Sequence, residues 1–392
     1  MIFQTLDDKN NCVAFYFNGD FQKVYEQEMT HSWVAPAYLQ HLDIEYAYLY
    51  AQCSLDDACP EHLKTELKEC IDLLKAYMTS FVVSKLDMNQ HCFYDLVPEH
   101  FLKRFCEIKN KICSHIFSST PRPPNYAFLK GVHEIAQEIS NRKLSLDFSS
   151  IPLSTLDLSS RKRVMKLRES SPYIRYNIFG SKTGRFSTKP NSFPILTLKK
   201  ELRSVIKPTN DMFVELDFNA FDLRVLLFLL GKEQPTIDIH DWNKKYAYQD
   251  KLSRKEAKTR IFSWLYNLDS GDRAAEAVYD REKIIQTYWD GSKVTNPFGT
   301  ELECNRFHAL SYLVQSTAAE LVLRQMVKIH KILQETSSHI AFTIHDSVVI
   351  DMAEEDVHLI PKLKDSFASY RRDNFLVNVS VGKDFGSMES LP

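Results

Sequence analysis

Residues 340–352 read IAFTIHDSVVIDM. Two apolar runs of strand length, Ile340–Ile344 and Val348–Met352, enclose His345, Asp346 and Ser347. The pattern predicts a β-hairpin with ionisable side chains at its tip. His, Asp and Ser are also ordinary turn residues, and an Asp readily closes a turn on its own backbone. The tripeptide therefore carries chemistry only if a second carboxylate stands near it.

Residues 212–231, MFVELDFNAFDLRVLLFLLG, supply one. Met212–Leu216 reads as an apolar strand ending in Asp217, and Ala220–Leu230 as an apolar helix starting one turn later. Asp at such a junction can be a helix N-cap. Aimed at a hairpin tip that holds another acid, it also suits a hard divalent cation, because Mg²⁺ takes a couple of carboxylates and completes its shell with water and substrate phosphates. Two such ions about 3.5–4 Å apart can activate an attacking hydroxyl and stabilise a leaving oxygen. A third stretch, SRKEAKTRIFSWLYN at 253–267, puts Arg254, Lys258, Phe262 and Tyr266 four residues apart. On a helix they form one stripe, with cations at one end for phosphates and aromatics at the other for a base.

The rest of the chain agrees with a folded enzyme. Its 392 residues are 44% hydrophobic and 12% aromatic, and predict two or three subdomains. No apolar run is long enough for a membrane helix, and the start, MIFQTLDDKNNC, is too polar for a targeting peptide, so an intracellular, cytoplasmic protein is expected. Seven of eight cysteines fall within the first 113 residues without a CxxC pair, which reads as free thiols in a reducing compartment. The net charge of -2 hides a segment, Arg161 to Lys207, where 13 Lys and Arg face two acids, a local excess of +11. Such a run is either a solvated face or a footprint for phosphates.

Alternation in the first thirty residues, with Asn18-Gly19-Asp20 as a turn, predicts a hairpin region over 1–30. Helical periodicity then dominates 31–145, with helices expected over 62–85, 98–117 and 126–141, broken at Pro60, Pro98 and the PRPP run at 121–124. Residues 146–172 read as a linker. Beyond it come helices at 253–267, 273–290 and 306–335, with a turn at 296–299.

The set TGRFSTKPN (183–191), DFNAFDLR (217–224), DIH (238–240), RxxxKxxxFxxxY (254–266), QSTAAE (315–320) and HDS (345–347) resembles family A DNA polymerases, in the family's order and over residues 173 to about 386. The resemblance implies an α+β, right-hand polymerase fold: a palm β-sheet and compact helical fingers within 173–386, fingers at about 232–305, and a helical thumb-like region over 31–145. It implies a DNA-directed DNA polymerase that adds dNTPs to a primer on template DNA, using two Mg²⁺ ions, with Mn²⁺ as a possible substitute.

By similarity, Asp217 and Asp346 bind the metals, with the backbone carbonyl of Phe218 completing a shell. Lys258 contacts the α-phosphate and protonates the leaving pyrophosphate, while Arg254 and His240 hold the outer phosphates. Phe262 packs on the incoming nucleotide. Tyr266 sits at the template base beside Asp222, which occupies the family's sugar gate. Arg185 and Gln315 reach minor-groove acceptors, His345 lies against the primer terminus, and Thr183 and Asn191 belong to the same DNA-binding motif. The resemblance leaves room for a clamp, helicase or primase partner and for a viral source with a host-cytoplasmic site, and implies no membrane.

The chain departs from the family pattern in several places. The gate is usually Glu, one methylene longer than Asp222. Ser347 replaces the acid that follows the hairpin Asp, the form seen in single-subunit phage RNA polymerases. Asn267 stands for Gly, Ser311 for Asn, and the stretch from Tyr266 to Gln315 is short. Asp43 and Glu45 mimic a first exonuclease motif, but too little chain precedes the sheet for a nuclease plus a thumb, so no proofreading is expected. An RNA polymerase or primase-like enzyme and a non-catalytic DNA-binding subunit are the competing readings.

Overall fold

The computed structural model describes residues 1–8, 11–34, 36–88, 90–149, 151, 157–267 and 269–391. The chain forms two compact units, residues 1–141 and 142–392. In the first, β1 (Gln4–Asp8), β2 (Asn11–Phe17) and β3 (Asp20–Gln22) make an antiparallel sheet in that order. The β2–β3 turn places Asn18 and Gly19 at φ 50° and 88°. Both values belong to the left-handed region that Asn-Gly hairpin turns require. Helices α1 (Lys64–Val83), α2 (Glu99–Ser119) and α3 (Tyr126–Asn141) follow. Leu6 and Tyr16 from the sheet, Phe81 from α1 and Phe101, Leu102 and Cys106 from α2 share one buried core. Every cysteine of the chain is a free thiol.

The second unit is built on a five-stranded antiparallel sheet. Its strands are β4 (Met212–Phe218), β7 (His339–Ile344), β8 (Ser347–Met352), β9 (Val377–Gly382) and β10 (Glu389–Leu391), in the order β7-β8-β4-β9-β10. Its interior strand β8 is buried at every residue, which is why SVVIDM shows no alternation. Val348, Val349 and Ile350 are fully buried, and each such side chain contributes about 1.5–3 kcal/mol by leaving water. A slip of one residue would turn every side chain of β8 to the opposite face and undo its packing on both sides. In the observed register Asp217 lies opposite Ser347 on one side and Asn378 on the other.

The remaining elements surround this sheet. They are α4 (Leu158–Glu169), α5 (Phe221–Leu229), α6 (Ile239–Tyr246), α7 (Arg254–Tyr266), α8 (Arg273–Tyr279), α9 (Arg281–Tyr288), the ribbon β5 (Lys293–Thr295) and β6 (Glu301–Glu303), α10 (Arg306–Leu333) and α11 (Ile360–Ala368). The α10 and α11 helices pack together and against the sheet, and Gln325 of α10 donates to the carbonyls of Ser366, Phe367 and Ser369.

Three expectations change. The segment read as a linker carries the twelve-residue α4, capped by Asp157 accepting from Ser160 N–H; its residues 150 and 152–156 lie outside the described residues. The single helix expected over 273–290 is two, because Asp280 at φ 42° closes α8 with its backbone and caps α9 with its side chain. Ser347 belongs to β8, so the hairpin loop is only His345 and Asp346.

Candidate active site

The hairpin tip and the end of β4 place the two acids together. His345 sits at φ 52°, and Ala220, three residues past Asp217, at φ 43°. Left-handed backbone on residues with a Cβ is strained, and such strain persists where the surroundings over-determine it. Those surroundings are visible: Phe218 N–H donates to the Asp346 carbonyl at 3.5 Å, and the buried Tyr176 hydroxyl donates to the Thr343 carbonyl at 2.6 Å. The Phe218 ring is buried, stacked on Phe221 and Phe367 at 4.0 and 4.3 Å.

Both carboxyls are held away from their ordinary ionisation. Burial, with the charges of Glu215 and Asp346 beside it, pushes Asp217 up to about 7 despite a hydrogen bond from Asn378. Burial and the charge of Asp222 push Asp346 up to about 6, opposed by Arg185. Charged forms that are desolvated and crowded by like charge gain most from an added cation. The donor set fits a hard ion, being carboxylate oxygens without thiol or imidazole. Among the described residues no group of three or more His, Cys, Asp or Glu side chains forms a metal cage. A Mg²⁺-type site takes a couple of carboxylates, and water and substrate oxygens supply the rest of its shell.

A chain of contacts leads from the acids to α7. Arg185 Nη2 lies 3.7 Å from Asp346 Oδ1 and 3.5 Å from Asp222 Oδ1. The Tyr266 hydroxyl donates to the other oxygen of Asp222. Tyr266 stacks parallel on Phe262 at 6.1 Å, Lys258 Nζ stands 6.0 Å over Phe262, and the His240 ring is 5.8 Å from it. The expected stripe exists because the opposite face of α7 is apolar: Ala257, Ile261, Trp264 and Leu265 are buried, and Ser253 with Glu256 forms a capping box at its start. Lys258 and Arg254 form no ion pair with Asp217 or Asp346; Arg254 pairs instead with Asp238 at 2.9 Å.

Other expected residues are placed with less contact. His345 is exposed at the tip. It lines, with Gly184, Arg185 and Ala319, a cavity of about 80 Å³. Gln315 is half-buried on α10, one turn before Ala319. Thr183 is buried next to Gly184, whose φ of 76° makes the turn that presents Arg185. Asn191, at φ 59°, is exposed, and its carbonyl accepts from Arg175. His240 differs most from expectation. It is 3% exposed, its Nδ1 has no partner, and burial lowers it to about 4, so it is a neutral ring and not a cation for phosphates. Glu45 of the exonuclease-like motif is engaged by the Tyr50 hydroxyl and Arg122, a structural use.

Sequence reasoning passed over Glu215, Asn219, Asp238, Asn378 and Tyr176. Glu215 accepts from Ser347 Oγ at 2.9 Å, so the hydroxyl that replaces the family's acid is bound to an acid on the neighbouring strand. The alternation of β4, which puts residues 215 and 217 on one face, was the available signal. Asn219 and Asp238 lie inside quoted motifs, but only the fold shows them touching.

No family model matches the chain. Curated relatives include DNA polymerase I of Chloroflexus aurantiacus, 24% identical over 275 residues that make up 56% of this chain and 29% of the relative. A second is the thermostable DNA polymerase I of Thermus filiformis, 26% identical over 314 residues, 66% of this chain and 37% of the relative. The chain therefore spans about a third of the length of these relatives. Among solved structures, the POL domain of Pol1 from M. smegmatis, in complex with DNA primer-template and dNTP, superposes with a TM-score of 0.54 at 13% identity, covering 87% of this chain and 81% of that one. The likeness in fold and the sequence matches agree: the chain is similar to DNA polymerase I proteins in sequence and to a polymerase domain in fold.

Proposed function

We propose that the protein is a template-directed DNA polymerase that adds dNTPs to a primer 3′-hydroxyl and releases pyrophosphate, without a proofreading exonuclease. The observation that carries this reading is the opposition of two half-buried carboxylates crowded by like charge, Asp217 and Asp346, to a helix stripe of Arg254, Lys258, Phe262 and Tyr266. In this reading the five-stranded sheet is the palm, α6 to α9 the fingers and residues 31–145 a thumb-like clamp.

Phosphoryl transfer asks a protein mainly for positioning and charge neutralisation. Asp217, Asp346 and the Phe218 carbonyl would hold two Mg²⁺ ions, or Mn²⁺ in their place, which when bound activate the attacking hydroxyl and stabilise the leaving oxygen. Lys258 and Arg254 meet the phosphates, and Lys258 is the proton donor to the leaving group. His240, neutral, offers one ring hydrogen bond in place of a charge. Phe262 and Tyr266 carry the base, and Asp222, fixed by Tyr266 and Arg185, lies under the sugar and excludes a 2′-hydroxyl. Arg185, Gln315, Thr183, Asn191 and His345 touch primer-template DNA, and the cations from Arg161 to Lys207 follow its backbone, which makes binding fall steeply with salt. Among the described residues no helix is long and apolar enough to cross a membrane.

Extension of a labelled primer on a DNA template with Mg²⁺ tests the reading, wild type beside Asp346→Ala, with dNTPs or rNTPs. Templated growth with dNTPs that disappears in the variant is the expected result. Growth with rNTPs alone would transfer the reading to an RNA polymerase, which Ser347 favours and Asp222 opposes. Salt-sensitive DNA binding with no growth would leave a non-catalytic DNA-binding subunit.

A further inference from the structure

The DIH motif contains one residue that the proposed mechanism has not used. We propose that Asp238 is a positioning residue for nucleotide binding: it aims the guanidinium of Arg254 at the phosphates. The inference rests on the polymerase reading and names a further determinant of the same site.

Arg254 Nε donates to Asp238 Oδ1 at 3.2 Å, and Nη2 donates to Oδ2 at 2.9 Å. This fork-to-fork pairing sets the plane of the guanidinium as well as its place. A guanidinium has five N–H donors in a rigid array, so two go to Asp238 and three remain directed away from it. The exposed Asp241, 3.6 Å from Nε, adds a weaker, screened attraction. Arg254 is half exposed, so without Asp238 its long side chain would sample many rotamers.

Asp238 is itself immobilised. Its Oδ1 accepts from His240 N–H at 2.9 Å and Asp241 N–H at 3.0 Å, which caps α6, and its Oδ2 accepts from Asn219 Nδ2 at 3.0 Å. Asn219 is held in turn by Arg224, which is fully buried on α5. Arg224 donates to the Asn219 carbonyl at 2.8 Å and to its Oδ1 at 3.1 Å, and also to the carbonyls of Pro235 and Ile237 at 2.7 and 2.8 Å. A continuous line of hydrogen bonds thus runs from Asn219, two residues past Asp217, through Asp238 to the first turn of α7. It fixes the phosphate-facing cation relative to the carboxylate strand.

The experiment is steady-state single-nucleotide incorporation by the full chain, comparing wild type, Asp238→Asn, Arg254→Ala and the double variant. Asn keeps the capping oxygen, but it removes the charge that grips Arg254 and puts an N–H2 donor where Oδ2 accepts from Arg254 Nη2 and Asn219 Nδ2. The expected result is a KM for dNTP raised about tenfold in Asp238→Asn, with kcat within about twofold. The melting temperature should fall somewhat, because the fold favours the ionised Asp238, but Asp238→Asn should add nothing to the KM once Arg254 is Ala. An unchanged KM, effects that multiply in the double variant, or a KM that falls because Asp238 competes with phosphate would each overturn the inference. If wild type incorporates no nucleotide, the polymerase reading fails on its own. The same four proteins, titrated with dNTP and Mg²⁺ in a thermal-shift assay, then decide the pair, and equal shifts in wild type and Asp238→Asn overturn it.

Discussion

The two ends of the site treat their charges in opposite ways. At the hairpin tip, Asp217 and Asp346 are crowded by other acids and pushed up to about 7 and about 6. At the start of α7, Arg254 is forked onto Asp238, a carboxylate that Arg254, Asn219 and the backbone of Asp241 hold well below the usual range against the effect of burial. The acidic end is costly to ionise until a cation arrives, whereas the basic end is already paired and oriented. Under the proposed function, a site arranged this way would bind metal by relieving a penalty and phosphates by occupying donors that Asp238 leaves over.

The largest test of this contrast is Asp217→Asn. Primer extension should fall on the order of a thousandfold or more, because the amide neither carries the charge nor crowds a cation close. Stability should move the other way. The folded-state value of Asp217 lies above its ordinary 3.8, so between about pH 4 and 7 the folded chain holds a proton that the unfolded chain has released. Stability is therefore lost as pH rises through that window. In EDTA, wild type should become less stable from about pH 5 to pH 8.5 by roughly 2–4 kcal/mol, and Asp217→Asn should lose the larger part of that slope, the remainder belonging to Asp346. Urea melts across pH check it, and Mg²⁺ should flatten the wild-type profile. A flat profile in EDTA would show that the acidic end carries no such penalty.

Asp222 stands between the two ends and sharpens the comparison. It accepts from Tyr266 of α7 and lies 3.5 Å from Arg185, so the carboxylate proposed as the sugar gate is braced on both sides. Asp222→Ala should lower the preference for dNTP over rNTP, measured as the ratio of kcat/KM values, by about a hundredfold. An unchanged ratio would remove Asp222 from sugar selection.

Much of this was legible in the sequence for identifiable reasons. The α7 stripe follows from a four-residue spacing backed by an apolar face, and the two acids from apolar runs that stop at charged residues. Helices α1 to α3 were visible because proline breaks bound strong periodicity. What stayed hidden depends on partners far apart in the chain. Nothing near Ser347 announces Glu215, more than a hundred residues earlier; their contact follows from the register of β4 on β8. The burial of His240 against Phe262 stayed hidden because it is a property of the packed helices. The split of the 273–290 helix turns on Asp280 choosing the left-handed region, which an apolar count does not sense.

The Ser347–Glu215 pair gives the smallest and most local test. The family pattern has an acid where Ser347 stands, and here the nearest side-chain partner of that position is already an acid. Ser347 is 2% exposed and lies opposite Asp217 in the register. Restoring the family residue with Ser347→Glu would bury a charge against Glu215 and Asp217 together, and like charges directly opposite in a sheet repel. The variant should lose about 2 kcal/mol in urea denaturation at pH 8. Moving the acid and hydroxyl to each other's strands, in Glu215→Ser with Ser347→Glu, should recover the part of that loss that comes from Glu215, because one carboxylate again meets one hydroxyl across β4 and β8 while Asp217 stays opposite position 347. If the single variant is as stable as wild type, or the exchange fails to recover it, the two positions are not coupled, and the crowding of the acidic end does not come from this pair.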